Sequence, residues 1–137
     1  MIELVRNTYR YRELIWALAL KDLKIRYKKD QLTKDASYNI RLGRSYLQEL
    51  LDHYSQSYVL AIAAYNAGPD RVDSWINMFG DPRDHGTDVV DWIESIPFSE
   101  TRNYVQRVLE NIQIYRHRLG VVQIAQSLQQ DLNRRGP

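Results

Sequence analysis

Residues 57–69 read SYVLAIAAYNAGP, and no other stretch constrains the architecture as tightly. From Tyr58 to Tyr65 every side chain is apolar or aromatic. A helix over 57–66 therefore turns an apolar surface in every direction, and such a helix belongs at the centre of a bundle. Its end is written in Asn66-Ala67-Gly68-Pro69. Gly68 can take the left-handed cap, and Pro69 suits the first position of a following helix.

Downstream, Val72, Trp75, Ile76 and Phe79 share one face of a helix that stops at Gly80. The polar stretch DPRDHGTD reads as a loop, after which Asp88 caps a short helix with Val89, Trp92 and Ile93 turned inward. Pro97 breaks the chain, and Ser99 is placed to cap a long helix over 100–119. Its stripe is Tyr104, Val105, Val108, Leu109, Ile112 and Leu119, with Gly120 as the stop. The Gln-rich residues 121–137 are weakly periodic and are expected to fray or lie loosely on the surface.

Upstream, Ala36, Ile40, Gly43, Leu47, Leu50, Leu51 and Tyr54 recur at helical steps over 35–54, with Asp35 as N-cap. Gly43 in mid-helix costs about 1 kcal/mol against alanine, which a close helix crossing would offset. Residues 8–28 form a further amphipathic helix: Leu14, Leu18 and Ile25 face one way, and Arg12, Lys24, Arg26 and Lys28 the other. No run alternates as a strand does. The fold class is all-α.

Composition narrows the function classes. Of 137 residues, 44% are apolar and 26% charged, ordinary globular usage that excludes wholesale disorder. With no cysteine and with His53, His85 and His117 scattered, no metal site and no cofactor are expected. The longest apolar run near the start, LIWALAL at 14–20, is far short of the roughly 20 residues a membrane span needs. It also lacks a cleavage site, so no signal peptide is visible. Residues 1–29 carry eight Lys/Arg against three Asp/Glu, whereas residues 30–137 carry eleven against fourteen. That asymmetry suggests two pieces of different origin. Because the basic residues sit on one short helix above an acidic remainder, no nucleic-acid partner is expected.

Three segments carry a family resemblance. YNIRLGRSYLQELLDHY at 38–54 is similar to the helix before the third motif of lytic transglycosylases, and AYNAGPDRV at 64–72 resembles that motif. DVVDWIESIPFSETRNYVQRVLENIQIYRHRLG at 88–120 resembles the closing segment of the soluble branch. The resemblance covers about residues 30–120. It implies a lysozyme-like helical bundle, here incomplete, acting on peptidoglycan glycan strands in the periplasm. The family cleaves the MurNAc–GlcNAc bond without water and leaves 1,6-anhydro ends. One carboxyl serves as acid and then as base, unlike the two-carboxylate arrangement of most glycosidases.

Carried onto this chain, Tyr65 and Asn66 would floor the sugar cleft, with the Asn66 amide donating to and accepting from an acetamido group. Tyr104 would stand near the catalytic carboxyl, and Glu100 and Arg102 would shape the same wall. Each has a structural alternative: Asn66 as a helix-end cap, Tyr104 as a core aromatic, Glu100 as a favourable charge at a helix N-terminus. The family's Glu-Ser pair has no counterpart upstream of residue 35. Glu94-Ser95 belongs to the closing block, so the catalytic acid is unassigned and a truncated, inactive domain is expected.

Residues 9–29, YRYRELIWALALKDLKIRYKK, resemble instead the leader of an ABC-type polysaccharide exporter permease. The resulting division is a basic N-terminal helix of foreign origin at 1–29, a partial lytic transglycosylase domain at 30–120 and a tail at 121–137. Two alternatives stand beside it: a rerouted activity using Glu100 or Glu94, and a membrane-surface or helper protein acting through 9–29. Missing partners for the apolar helix would give marginal stability or self-association.

Overall fold

A computed structural model describes residues 36–118, 120 and 124–134. The expected helix over 8–28, the Asp35 cap and Leu119 lie outside the described residues. The chain divides into two compact units, Met1–Gln48 and Glu49–Pro137. All regular structure among the described residues is helical.

Helix α1, Ala36–His53, carries the boundary between the units. Within the first unit, Gly43 and Leu47 are buried, whereas Arg41, Leu42, Arg44 and Tyr46 are exposed, the one-sided pattern expected from the sequence. In the second unit α1 ends on buried Leu50 and Leu51. Its stop is made without glycine: Ser55 and Gln56 take φ of 50° and 63°. The Gln56 N–H donates to Leu51 O and the Ser55 N–H to Asp52 O, the pair of bonds that closes a Schellman motif. Tyr54 Oη donates to Asp73 Oδ1 at 2.9 Å, tying this turn to the next helix but one.

The second unit is built around α2, Tyr58–Ala67. Val59, Leu60, Ala61, Ala63 and Ala64 have no exposed surface at all, as an all-apolar helix demands. Ser57 caps it, its hydroxyl accepting from Leu60 N, a cap hidden in the sequence by the polar run before it. Helices α3 (Pro69–Phe79), α5 (Ser99–Arg118) and α6 (Ile124–Leu132) pack on α2, while α4 (Val89–Glu94) packs on α5. The inward residues of α4 are Val89, Trp92 and Ile93, as expected, and Asp88 Oδ1 accepts from Val90 N and Asp91 N. The 81–88 loop is polar but ordered. Asp81 holds Arg83 through both carboxylate oxygens, and that hydrogen bond raises the Arg83 pKa above its ordinary value.

Three expectations change. Ser99 is the first residue of α5 and not its cap. The Arg102 N–H donates to Phe98 O at 2.9 Å, so Phe98 closes the first turn through its backbone. Gly68 has a positive φ, 93°, but its ψ of 147° lies outside the left-handed helical region.

The third change is the largest. Residues 124–132, expected to fray, form α6, and the anchor is polar. Asp131 is 4% exposed; its Oδ2 accepts from Gln113 Nε2 at 2.8 Å and from Arg116 Nη1, and its Oδ1 accepts from Arg116 Nη2 at 2.9 Å. Just beyond α6, Arg134 Nη1 donates to Tyr58 Oη at 2.7 Å and the guanidinium lies over the Tyr58 ring. A periodicity search for apolar residues passes over such an anchor, because the groups that dock are charged.

Removing one partner of a buried ion pair leaves the other charge uncompensated, which typically costs about 3–5 kcal/mol. Asp131→Ala is therefore expected to lose about that much stability in urea denaturation. A loss below about 1 kcal/mol would mean that α6 docks without the pair.

Candidate functional site

The residues singled out from the sequence fall on two helices. Tyr65 and Asn66 occupy the last turn of α2, and Glu100 and Tyr104 the first turns of α5. Within α2, burial is relieved only near this end, where Tyr65 and Asn66 are half-buried. The central helix therefore brings polar chemistry toward the surface where it stops.

Gly68 makes that stop and the next start. Its N–H donates to Ala64 O at 2.8 Å, closing α2, and its carbonyl accepts from Val72 N, opening α3. Pro69 stands at the first position of α3, where its missing N–H is not needed. The φ of 93° with ψ of 147° is a region open essentially to glycine alone. A Cβ at this position would meet nothing within 4 Å, so the requirement lies in the backbone and not in space. Gly80 differs, because a Cβ there would stand 2.9 Å from Thr87 Oγ1 in addition to its φ of 89°.

A side-chain hydrogen bond joins the two halves of the site. Thr101 Oγ1 donates to Asn66 Oδ1 at 2.7 Å across 35 residues of chain. Thr101 is 2% exposed. Sequence reading passed over it in favour of its neighbours Glu100 and Arg102. The available signal was its place on the inward face of α5, three residues before Tyr104 and four before Val105.

Arg102 turns out to brace the backbone. Its Nη1 donates to Glu94 O and Ile96 O, both at 3.1 Å, so it satisfies carbonyls at the end of α4 and in the α4–α5 link. Glu94 joins this brace, accepting from Gln106 Nε2 at 2.6 Å and lying 4.0 Å from Arg102 Nε. The link is further pinned by Phe98, which meets the Trp75 ring edge-on while the Arg71 guanidinium lies 5.1 Å from its centroid.

Tyr104 is 5% exposed and belongs to the packed stripe of α5. Glu100 stands on the exposed side of the same helix. With Asn103, Gln106, Arg107 and Glu110 it lines a shallow groove of about 350 Å³. Among the described residues, Tyr65, Asn66 and Tyr104 do not line that groove. The structure thus brings Asn66 to the first turn of α5 and sets Glu100 on that helix's outer groove. No group of three or more His, Cys, Asp or Glu that could hold a metal stands together among the described residues.

Residues 16–85 match the transglycosylase SLT domain, and residues 95–123 match the soluble lytic transglycosylase helical domain. The chain belongs to the transglycosylase SLT domain family. The first match opens at residue 16, within the basic N-terminal stretch.

The chain is 47% identical over 83 residues to the soluble lytic murein transglycosylase of Salmonella typhimurium, covering 60% of this chain and 12% of that protein. The Escherichia coli K12 soluble lytic murein transglycosylase is 44% identical over 87 residues, covering 63% and 13%. A crystal structure of an inactive glutamate-to-glutamine mutant of the lytic transglycosylase Slt from Pseudomonas aeruginosa superposes with a TM-score of 0.52 at 37% identity. It covers 76% of this chain and 17% of that one. The chain thus spans about an eighth of the length of the first relatives it matches.

Because a non-glycine residue in such a backbone region costs about 1–3 kcal/mol, Gly68→Ala is expected to lower stability by that amount. Gly80→Ala should lose more, because its methyl group also displaces Thr87. Thermal melts of both variants check the order, and an unchanged midpoint for Gly68→Ala would remove the backbone constraint.

Proposed function

We propose that residues 49–137 form the sugar-holding wall of a lytic transglycosylase domain that engages peptidoglycan glycan strands in the periplasm. The observation that carries this reading is the Thr101–Asn66 hydrogen bond. It unites the AYNAG motif with the SETRNYV segment at the one end of the core helix where polar groups come to the surface. Two sequence segments that resemble one enzyme family separately thereby form a single feature.

In this reading Tyr65 and Asn66 contact the glycan, Tyr65 through its ring and Asn66 through its amide. Tyr104 supports that wall from the packed side of α5, and Glu100 meets the strand at the rim. The reaction of the family is cleavage of the MurNAc–GlcNAc bond with formation of a 1,6-anhydro ring. The C–O bond to the leaving sugar breaks as a carboxyl gives it a proton, and the muramyl 6-hydroxyl closes on C1 and returns a proton to that carboxylate. Such an acid must sit in a sheltered site within about 3 Å of the leaving oxygen. Glu94 and Glu100 are both exposed, and Glu94 is held in the α4–α5 brace. The described residues are therefore assigned to holding the sugar, and the proton transfer is assigned to none of them.

Co-sedimentation of the 137-residue chain with peptidoglycan sacculi, followed by mass spectrometry of the soluble fraction, tests both halves of the proposal. The chain is expected to bind and to release no 1,6-anhydro muropeptides. Asn66→Ala should weaken binding about tenfold, the equivalent of one net hydrogen bond. Absence of binding would overturn the glycan assignment. Release of anhydro products that disappears in Glu100→Gln would place the acid in this unit.

A further inference from the structure

We propose that Arg71, held over the Phe98 ring at the Asn66 end of α2, is a binding residue for a carboxylate of the glycan strand. This rests on the reading of that end as a sugar-holding wall and deepens it, by naming the charged group the wall takes.

The arginines of the second unit differ in what holds them. Arg83, Arg102 and Arg116 each have a carboxylate within 4.0 Å. Among the described residues Arg71 has none within that distance, not even its chain neighbour Asp70. Its one hydrogen bond there runs from Nη1 to Ala67 O at 3.0 Å, the carbonyl next to Asn66 at the end of α2. Its other contact is the Phe98 ring, whose centroid lies 5.1 Å from Cζ.

An aromatic face attracts a guanidinium but offers no acceptor atom, so Phe98 restrains Arg71 without using its N–H groups. Phe98 is in turn held edge-on by Trp75, with 5.6 Å between centroids. A buried ring thus steadies a half-exposed ring, which steadies an exposed cation. Holding so long a side chain in one place costs side-chain entropy that a merely solvated charge would keep. A brace alone would explain the Ala67 bond but not the unpaired charge. Arg102, which also bonds carbonyls at a helix end, has Glu94 beside it. A fixed guanidinium with unused planar donors is what paired recognition of a carboxylate requires.

This cation stands at the same junction as the Thr101–Asn66 bond: Ala67 follows Asn66, and Phe98 lies three residues before Thr101. A peptidoglycan strand held there presents neutral N-acetylglucosamine units and muramic acid units. The muramyl lactyl group ends in a carboxylate, or in an amide to a peptide that carries carboxylates of its own. Carboxylate is the chemistry the two sources share.

The test measures binding of the full 137-residue chain to soluble glycan strands, peptide-free and peptide-bearing, each with its carboxylates free or converted to methylamides. For at least one strand type, wild type is expected to bind the free-carboxylate form about tenfold more tightly than the methylamide. Arg71→Gln, which keeps an NH2 group for Ala67 O, should bring that ratio below about twofold. Phe98→Leu leaves the charge but removes the ring that holds it, and should bring the ratio to about threefold. Arg118→Gln, exposed in the last turn of α5, removes the same charge elsewhere and should leave the ratio unchanged. Asn66→Ala should weaken both forms alike. Dependence on Arg71 with peptide-free strands assigns the carboxylate to the lactyl group, and dependence with peptide-bearing strands alone assigns it to the peptide.

A ratio that Arg71→Gln leaves unchanged, or that Arg118→Gln lowers equally, overturns the Arg71 assignment and leaves the glycan reading standing. Equal binding of both forms by wild type, for both strand types, does the same. No binding of any strand overturns both.

Discussion

The second unit depends on the enclosure of a helix that has no polar face. Tyr58–Ala67 cannot lie on a surface, because any orientation exposes Val59, Leu60, Ile62 or an alanine row to water. Fully burying side chains of this size is worth about 1.5–3 kcal/mol each for the larger ones. The surrounding helices α3, α5 and α6 are arranged by the need to cover it. The alanines at 61, 63, 64 and 67 let those neighbours approach closely, and the larger residues fill the gaps between them. The same enclosure decides where function can reside. A buried helix can offer polar groups only at its ends, and Ser57 at one end is used up as a cap. Asn66 at the other end is where chemistry can emerge.

Apolar burial explains why the unit holds together but says little about register, since a smooth apolar rod can be covered in many ways. Specific polar ties supply the register. Asp131 fastens α6 to Arg116 and Gln113 on α5, and Arg134 fastens the segment beyond α6 to Tyr58 on α2. Arg102 holds the α4–α5 link by its carbonyls, and Thr101 holds the end of α2 against α5. A buried ion pair adds little net stability over a well-packed apolar pair, but it penalises every arrangement that separates the charges. These ties therefore select one packing among those the core would tolerate.

The consequence for the site is a division of labour along α5. One face is the packed stripe that includes Tyr104 and Thr101, whose hydroxyl reaches back to the AYNAG end of α2. The opposite face carries Glu100, Asn103, Gln106, Arg107 and Glu110 along a shallow groove. A single helix thus meets the end of α2 on one face and presents a groove lined by polar side chains on the other.

Much of this was legible in the residue order. The helix pattern, the Gly68-Pro69 junction, the Asp88 cap and the inward faces of α3, α4 and α5 follow from local periodicity and turn chemistry, which need only a few neighbouring residues to be read. Tyr65, Asn66, Glu100 and Tyr104 were picked out through motif resemblance, which is also local. Ser99 was misplaced by one position, because a backbone carbonyl can close a first turn as well as a hydroxyl can.

What only the tertiary structure decided were the pairings between residues far apart in the chain: Thr101 with Asn66, Asp131 with Arg116, Arg134 with Tyr58. Charged and polar residues have no periodic signature that announces a partner, and a polar tail rich in glutamine looks the same whether it is solvated or docked. By itself the sequence determined which surfaces had to be buried, since burial follows from composition and period. Which polar groups meet inside was left to the three-dimensional packing, since that depends on distances the chain acquires only when folded.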